Sequence, residues 1–298
     1  MCGIVGLFLK DASLKPQLGE LLSDMLVTMT DRGPDSAGIA VYSDTDGKSG
    51  KITLQSDRPD EDFSALEKTL ADASGGAASM VRNDTHAVIT APAEALKKIE
   101  AHLASAHPGL RVMSRGEAME IYKEVGLPSD VVDRFGIRSM QGSHGIGHTR
   151  MATESAVTTM GAHPFSTATD ECLVHNGSLS NHNSLRRKLV REGLRFETEN
   201  DTEVGAAYMT YRMQNGANLG EALEDCLSAL DGFYTFVVGT KRGFGVLRDP
   251  IACKPAVLAE TDRYVAFGSE YRALVNLPGI LDARVWEPEP ATVYFWEH

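Results

Sequence analysis

The sequence predicts a layered α+β fold, and three observations point there. Short apolar strands outnumber helices, the helices come in groups instead of alternating one for one with strands, and no repeat organises the chain. A doubly wound parallel sheet would need the strict β-α alternation that this chain lacks. With 298 residues and 42% hydrophobic content, the chain can bury a sizeable core in one large or two small domains.

Residues 3–9 read as a buried strand, and residues 16–30 place Leu18, Leu21, Leu22, Met25, Leu26 and Met29 on one helical face. The turn-rich Asp31-Arg32-Gly33-Pro34-Asp35 leads to a strand at Ala37–Tyr42 and a second at 51–56, where the first core sheet is expected to begin. Residues 60–140 change character. An acidic helix, Gly75-Gly76, a strand from His86 to Thr90 and a helix striped by Leu96, Ile99 and Leu103 precede a strand and helix expected within 110–126. This β-α-β-α segment reads as an insertion of about half a domain, of unknown role, within one domain spanning 1–298. Strands resume at 144–152, 171–179, 234–240, 243–249, 256–260, 264–270 and 292–296, with helices at 202–214 and 219–230. The second of these helices carries a continuous apolar face of Leu219, Ala222, Leu223, Cys226, Leu227 and Leu230.

A net charge of −12 repels phosphate backbones and anionic membrane surfaces, so nucleic acid is not an expected partner. The apolar start lacks a basic leader and is cut short by Lys10 and Asp11, which predicts no signal sequence or membrane span and a cytoplasmic location. The four cysteines, Cys2, Cys172, Cys226 and Cys253, lie far apart with no C-x-x-C pair. Neither a zinc site nor an iron–sulfur cluster is expected from this chain, and no cofactor is assigned to it.

Cys2 is the first candidate for chemistry. Once Met1 is removed, its thiol, with an ordinary pKa of about 8.5, sits beside an α-amino group at about 7.7–8.0, so one residue can supply nucleophile and base; a packed strand cysteine is the plainer alternative for this position alone. Arg150, in Gly147-His148-Thr149-Arg150, offers a guanidinium that can hold a carboxylate bidentately; a surface ion pair is the plainer alternative. Asn176-Gly177 reads as a type I′ hairpin turn, yet its side-chain amide and unobstructed N–H also make a two-donor oxyanion site. Asp201 stands at a helix start, as N-cap or as anchor for a substrate ammonium. Arg32 and Gly33 form a turn that would lie near the Cys2 strand.

Taken in order, Met1-Cys2-Gly3-Ile4, Arg32-Gly33-Pro34-Asp35, His148-Thr149-Arg150, His163-Pro164-Phe165, His175-Asn176-Gly177 and Asp201-Thr202-Glu203 resemble the class II glutamine amidotransferases. The resemblance continues through Leu230-Asp231-Gly232, Arg248-Asp249-Pro250 and Gly268-Ser269-Glu270-Tyr271-Arg272-Ala273-Leu274. It implies the N-terminal-nucleophile fold, a four-layer αββα sandwich, here carrying the β-α-β-α insertion. It also implies that Cys2 attacks the amide of L-glutamine, that Asn176 and Gly177 stabilise the oxyanion, and that Arg150 and Asp201 bind the α-carboxylate and α-ammonium. Thr153 and His163 fall near the same pocket by motif position, and no metal is implied.

The chain stops just after the last expected strand, with no S-G-G-x-D-S loop and no phosphoribosyl-binding loop, so the ammonia acceptor is expected on another subunit. Met151-Ala152-Thr153-Glu154-Ser155-Ala156 and the run from His175 to Asn183 are most similar to stand-alone glutamate synthase-like amidotransferase subunits, the N-methylglutamate synthase type above all. That likeness implies a partner synthase subunit with flavin and an iron–sulfur cluster, and a third, glutamate synthase-like subunit. Ile251-Ala252-Cys253-Lys254-Pro255 departs from the Gly and Arg usual after Arg248-Asp249-Pro250. A free-standing amide hydrolase and a non-catalytic glutamine-sensing subunit are the alternative readings.

Overall fold

The computed structural model describes residues 2–152 and 156–298. Strand β1 (Gly3–Leu9) is buried along its whole length because two different layers cover its two faces. Val5, Leu7 and Leu9 pack with Leu22, Met25 and Leu26 of helix α1 (Leu18–Thr28). Ile4 and Phe8, on the opposite face of a strand whose side chains alternate, pack with Val174, Val237 and Phe244 of a second sheet. The α-helix begins two residues later than expected, since Pro16 is taken up in a 3-10 turn at Ala12–Gln17.

After β2 (Ser36–Tyr42) and β3 (Ser49–Gln55) come α2 (Pro59–Ser74), β4 (Ser79–Asn83), β5 (His86–Pro92) and α3 (Ala93–Ala106). Then follow β6 (Arg111–Gly116), β7 (Met119–Val125), α4 (Pro128–Arg134), β8 (His144–Arg150), β9 (Phe165–Ala168) and β10 (Glu171–Leu179). Three helices run in succession, α5 (His182–Arg191), α6 (Asp201–Gln214) and α7 (Leu219–Ala229), the last closed by an Asn218–Glu221 capping box. The chain ends in β11 (Gly232–Thr240), β12 (Gly243–Arg248), β13 (Val257–Glu260), β14 (Tyr264–Gly268), β15 (Arg284–Trp286) and β16 (Thr292–Glu297).

A seven-stranded sheet of order β15-β13-β14-β1-β8-β2-β7 faces a five-stranded sheet of order β16-β12-β11-β10-β9. Helices α1 and α4 cover the first sheet, and α6 and α7 cover the second. The expected four-layer αββα sandwich is thereby found, with three apolar layers: helix on sheet, sheet on sheet, and sheet on helix. Gly6 lies in the middle layer, where a Cβ would come within 2.5 Å of the Phe244 ring.

Two local expectations are corrected. The strand expected at 51–56 does not open the core sheet; as β3 it pairs with β5 and β6 in a separate four-stranded sheet, β4-β5-β3-β6. The segment 110–126, expected as strand then helix, is two strands, and the helix waits for Pro128. Met119, Ile121 and Tyr122 are buried in β7 because it pairs with β2 on the core sheet, a partner far away in sequence that no local pattern reveals. The smaller sheet, with α2 and α3 packed on it through Ile52, Leu54, Ile89, Phe63, Leu66, Leu70, Ile99 and Leu103, has the βαββαβ order of the split-βαβ, ferredoxin-like motif. Among the described residues no helix is long and apolar enough to cross a membrane.

Three histidines are built into these layers without access to water: His86 edge-on to Phe135, His144 stacked on Tyr42 at 4.2 Å, and His148. Burial pulls each of them down to about 3. Their folded values lie below the unfolded value of about 6.5, so the stability they contribute is whole above that pH and is lost as pH falls towards the folded value. At pH 5 each ring costs about 2 kcal/mol. The urea midpoint is therefore expected to drop between pH 7 and pH 5; a flat midpoint over that range would show that the rings do not stay neutral inside.

Candidate active site

Cys2 sits half-buried at the entrance to β1, and its backbone carbonyl is the point on which the site converges. That oxygen accepts from Arg32 Nε at 3.0 Å and from Asn176 Nδ2 at 3.2 Å. The strand behind it is locked from a third side: Ile4 N–H donates to Ser269 Oγ at 2.9 Å, and Ser269 N–H to the Ile4 carbonyl at 2.9 Å. Arg32 is itself held by Glu270 at 2.6 Å, and this hydrogen bond keeps the Glu270 carboxyl below its ordinary range. The expectation that Arg32 lies near the Cys2 strand is met by a direct contact.

The pairing of Gly3 with Thr149 brings Arg150 alongside Cys2 on the neighbouring strand. Gly33 lies across this point. A Cβ there would stand 2.5 Å from the Arg150 nitrogen and the Thr149 carbonyl, so only glycine allows the two backbones to touch. Asp35 completes the join, its N–H donating to the Arg150 carbonyl at 3.1 Å and its Oδ2 accepting from Ala152 N–H at 2.8 Å. The guanidinium of Arg150 is buried, with Nη1 donating to the Ala156 carbonyl at 3.2 Å. Thr153 lies outside the described residues.

The hairpin reading of Asn176-Gly177 is corrected. Both residues lie inside β10, with Asn176 opposite Thr235 and Gly177 opposite Tyr234 on β11. Gly177 adopts φ 151°, and a Cβ there would meet the Phe233 carbonyl at 2.0 Å and His175 Nε2 at 2.9 Å. The glycine serves a kinked strand pressed against its neighbours. Among turn-formers, Asn-Gly is strong locally, but the β11 ladder overrides it.

The N-cap reading of Asp201 is corrected as well: the cap is Asn200, whose side chain accepts from Thr202 N–H at 2.9 Å. Asp201 is the first helical residue. Its Oδ2 accepts from the Leu179 N–H at 2.9 Å, which anchors it to β10 just beyond Asn176, and its Oδ1 lies 3.8 Å from His175 Nδ1.

Behind these residues lies a polar cluster whose members appear in the motifs but whose connection needs the fold. Thr202 Oγ1 is 2.8 Å from His163 Nε2 and 2.9 Å from His175 Nδ1. A hydroxyl has one proton, so it donates to one ring and accepts from the other, and the two tautomers are tied together. His148 stacks on His163 at 3.9 Å and donates from Nε2 to the His175 carbonyl at 3.0 Å. Burial lowers all three rings, which keeps them neutral. His163 thus contacts Thr202, next in chain to Asp201. Among the described residues no group of three or more His, Cys, Asp or Glu side chains is arranged so that it could hold a metal ion.

Cys2 thus has its carbonyl clamped by Arg32 and Asn176, with Arg150 on the paired strand and Asp201 tied to β10 at Leu179. A family model described as a glutamine amidotransferase domain matches residues 148–276. The glutamine amidotransferase-like protein GlxB of Rhizobium meliloti (strain 1021) is 69% identical over 299 residues, spanning 100% of this chain and 99% of that protein. A putative glutamine amidotransferase of Methanothermobacter thermautotrophicus is 32% identical over 305 residues, spanning 99% of both. The solved glutamine phosphoribosylpyrophosphate amidotransferase of B. subtilis shares the fold, with a TM-score of 0.63 at 19% identity over 99% of this chain and 47% of that one. The chain therefore spans about half the length of that enzyme.

Proposed function

This chain belongs to the class II glutamine amidotransferases, and we propose that it is a glutaminase subunit which hydrolyses L-glutamine through Cys2 and hands the ammonia to a separate synthase subunit. The observation that carries the reading is the double grip of Arg32 and Asn176 on the Cys2 carbonyl. Holding the carbonyl of residue 2 supports a nucleophile at that residue, because a fixed backbone orients its side chain and amine.

With Met1 removed, the Cys2 α-amino group takes the thiol proton as sulfur attacks the glutamine amide carbon. Asn176 Nδ2 and the Gly177 N–H stabilise the oxyanion. The same amine returns the proton to the departing nitrogen, ammonia leaves, and water cleaves the thioester to glutamate. Arg150 holds the α-carboxylate and Asp201 the α-ammonium, with Thr153 and His163 near the same pocket, and Arg32 and Gly33 keep the frame. The three-way hold on strand β1 supports this division, because a nucleophile on a fraying terminus would lose the benefit of orientation.

The acceptor we assign to a partner of the glutamate synthase type, such as an N-methylglutamate synthase, bearing flavin and an iron–sulfur cluster, with a third glutamate synthase-like subunit. This chain itself needs no cofactor for the glutaminase half-reaction. The match to GlxB, a glutamine amidotransferase-like protein, spans 99% of that protein and supports the amidotransferase part of this reading. Turnover of L-glutamine by the purified chain is expected to be low and to rise on adding the partner subunits. A glutamine-like diazo-ketone is expected to modify Cys2 alone, seen as a mass shift on the N-terminal peptide. An unmodified Cys2 in a chain free of Met1 would refute the reading, and high partner-independent turnover on unrelated amides would replace it with a plain amide hydrolase.

A further inference from the structure

Lys123, in the middle of edge strand β7, is buried yet has no carboxylate within 4 Å among the described residues. Its Nζ donates instead to three carbonyls of one segment: Ala162 at 2.8 Å, Pro164 at 3.2 Å and Met160 at 3.4 Å. The ammonium also lies 4.7 Å from the centre of the Phe165 ring. Next along β7, Glu124 accepts from the hydroxyl of Thr159. Side chains of consecutive strand residues leave on opposite faces, so the segment 156–164 is clasped from both faces of the sheet edge. The segment also lies hard on β2, where a Cβ on Gly38 would stand 2.1 Å from the His163 carbonyl. At its start, Ala156 supplies the carbonyl on which Arg150 Nη1 rests.

We infer that Lys123 is a positioning residue for glutamine recognition: by gathering the carbonyls of Met160, Ala162 and Pro164 it holds the segment that sets the direction of the Arg150 guanidinium. The inference rests on the assignment of Arg150 to the substrate carboxylate. A buried ammonium is costly unless its donors are satisfied, and burial pulls Lys123 down to about 8 against the longer-range pull of Glu203, Glu197 and Cys172. An apolar residue in this place would fill the space without that cost. Three carbonyls that converge on one cation have no such substitute, because left alone they repel one another. The lysine therefore gives the segment a single geometry.

The test is made on the Cys2→Ala protein, which binds but does not consume substrate, by calorimetric titration with L-glutamine and with 4-aminobutanamide, the same amide without the α-carboxylate. Adding Lys123→Met is expected to weaken glutamine binding roughly tenfold or more while leaving 4-aminobutanamide unchanged, and Lys123→Arg is expected to restore much of the difference. Thr159→Val, at a half-buried position, removes the hydroxyl that donates to Glu124 and is expected to reduce the same discrimination by a smaller factor. Equal losses for both ligands would mean a merely structural lysine, and unchanged glutamine binding would overturn the inference. Should Lys123→Met fail to fold, Thr159→Val decides: full discrimination in that variant overturns the clasp. If the Cys2→Ala protein with Lys123 intact binds no L-glutamine, the glutaminase reading itself falls first.

Discussion

Replacing Cys2 with alanine is expected to abolish glutamine-dependent activity of the assembled complex and to leave its activity with free ammonia or methylamine intact. The reason is the separation of two half-reactions. On the proposed function the thiol serves only to break the glutamine amide, and ammonia once formed passes to the partner. Without sulfur no thioester forms, and a water molecule held by the same donors is a far poorer nucleophile, so the residual rate should fall to the background of the assay. The frame should survive, because what holds residue 2 is its carbonyl, gripped by Arg32 and Asn176, and not its side chain. The check is a paired assay with L-glutamine and with ammonium at equal saturation. Loss of both activities would show that the chain does more than release ammonia.

Asn176→Ala is expected to lower glutaminase kcat by roughly 10²–10³ with KM nearly unchanged. A donor aimed at the developing oxyanion acts only in the transition state, and its removal therefore spares ground-state binding. The structural cost should be modest, about 1 kcal/mol, since the Cys2 carbonyl keeps Arg32 and the Asn176–Thr235 ladder is made by backbone. The two effects are separated by measuring kcat beside the urea midpoint. A rate loss that simply follows unfolding would return Asn176 to a structural role.

The residues of the site were legible because they sit in short motifs whose order along the chain is itself informative: Cys2 at the start, Arg150 at a strand end, Asn176-Gly177, then Asp201. Their local conformations were less so. Asn-Gly carries a strong turn preference, yet here it continues a strand, because Gly177 can adopt φ 151° and the β11 ladder rewards extension. Asn200, not Asp201, caps α6, a choice between adjacent residues of nearly equal propensity. Lys123 carried no signal at all, since its stretch was expected as helix, and its burial in β7 arises only when the segment 156–164 is laid over it.

Periodicity and motif order determined, unaided, the layered α+β class, the strand β1, the helices α6 and α7, and the glutamine amidotransferase family. Tertiary structure alone decided which strands are neighbours. It placed β3 in the smaller sheet and β7 on the core sheet, joined Arg32, Asn176 and Cys2 across 174 positions of chain, and tied His163 to His175 through one hydroxyl. The physical cause is that local preference acts over a few residues and describes faces and turns. Pairing, burial of charge and the convergence of donors arise only when separate stretches of chain exclude water from the same place.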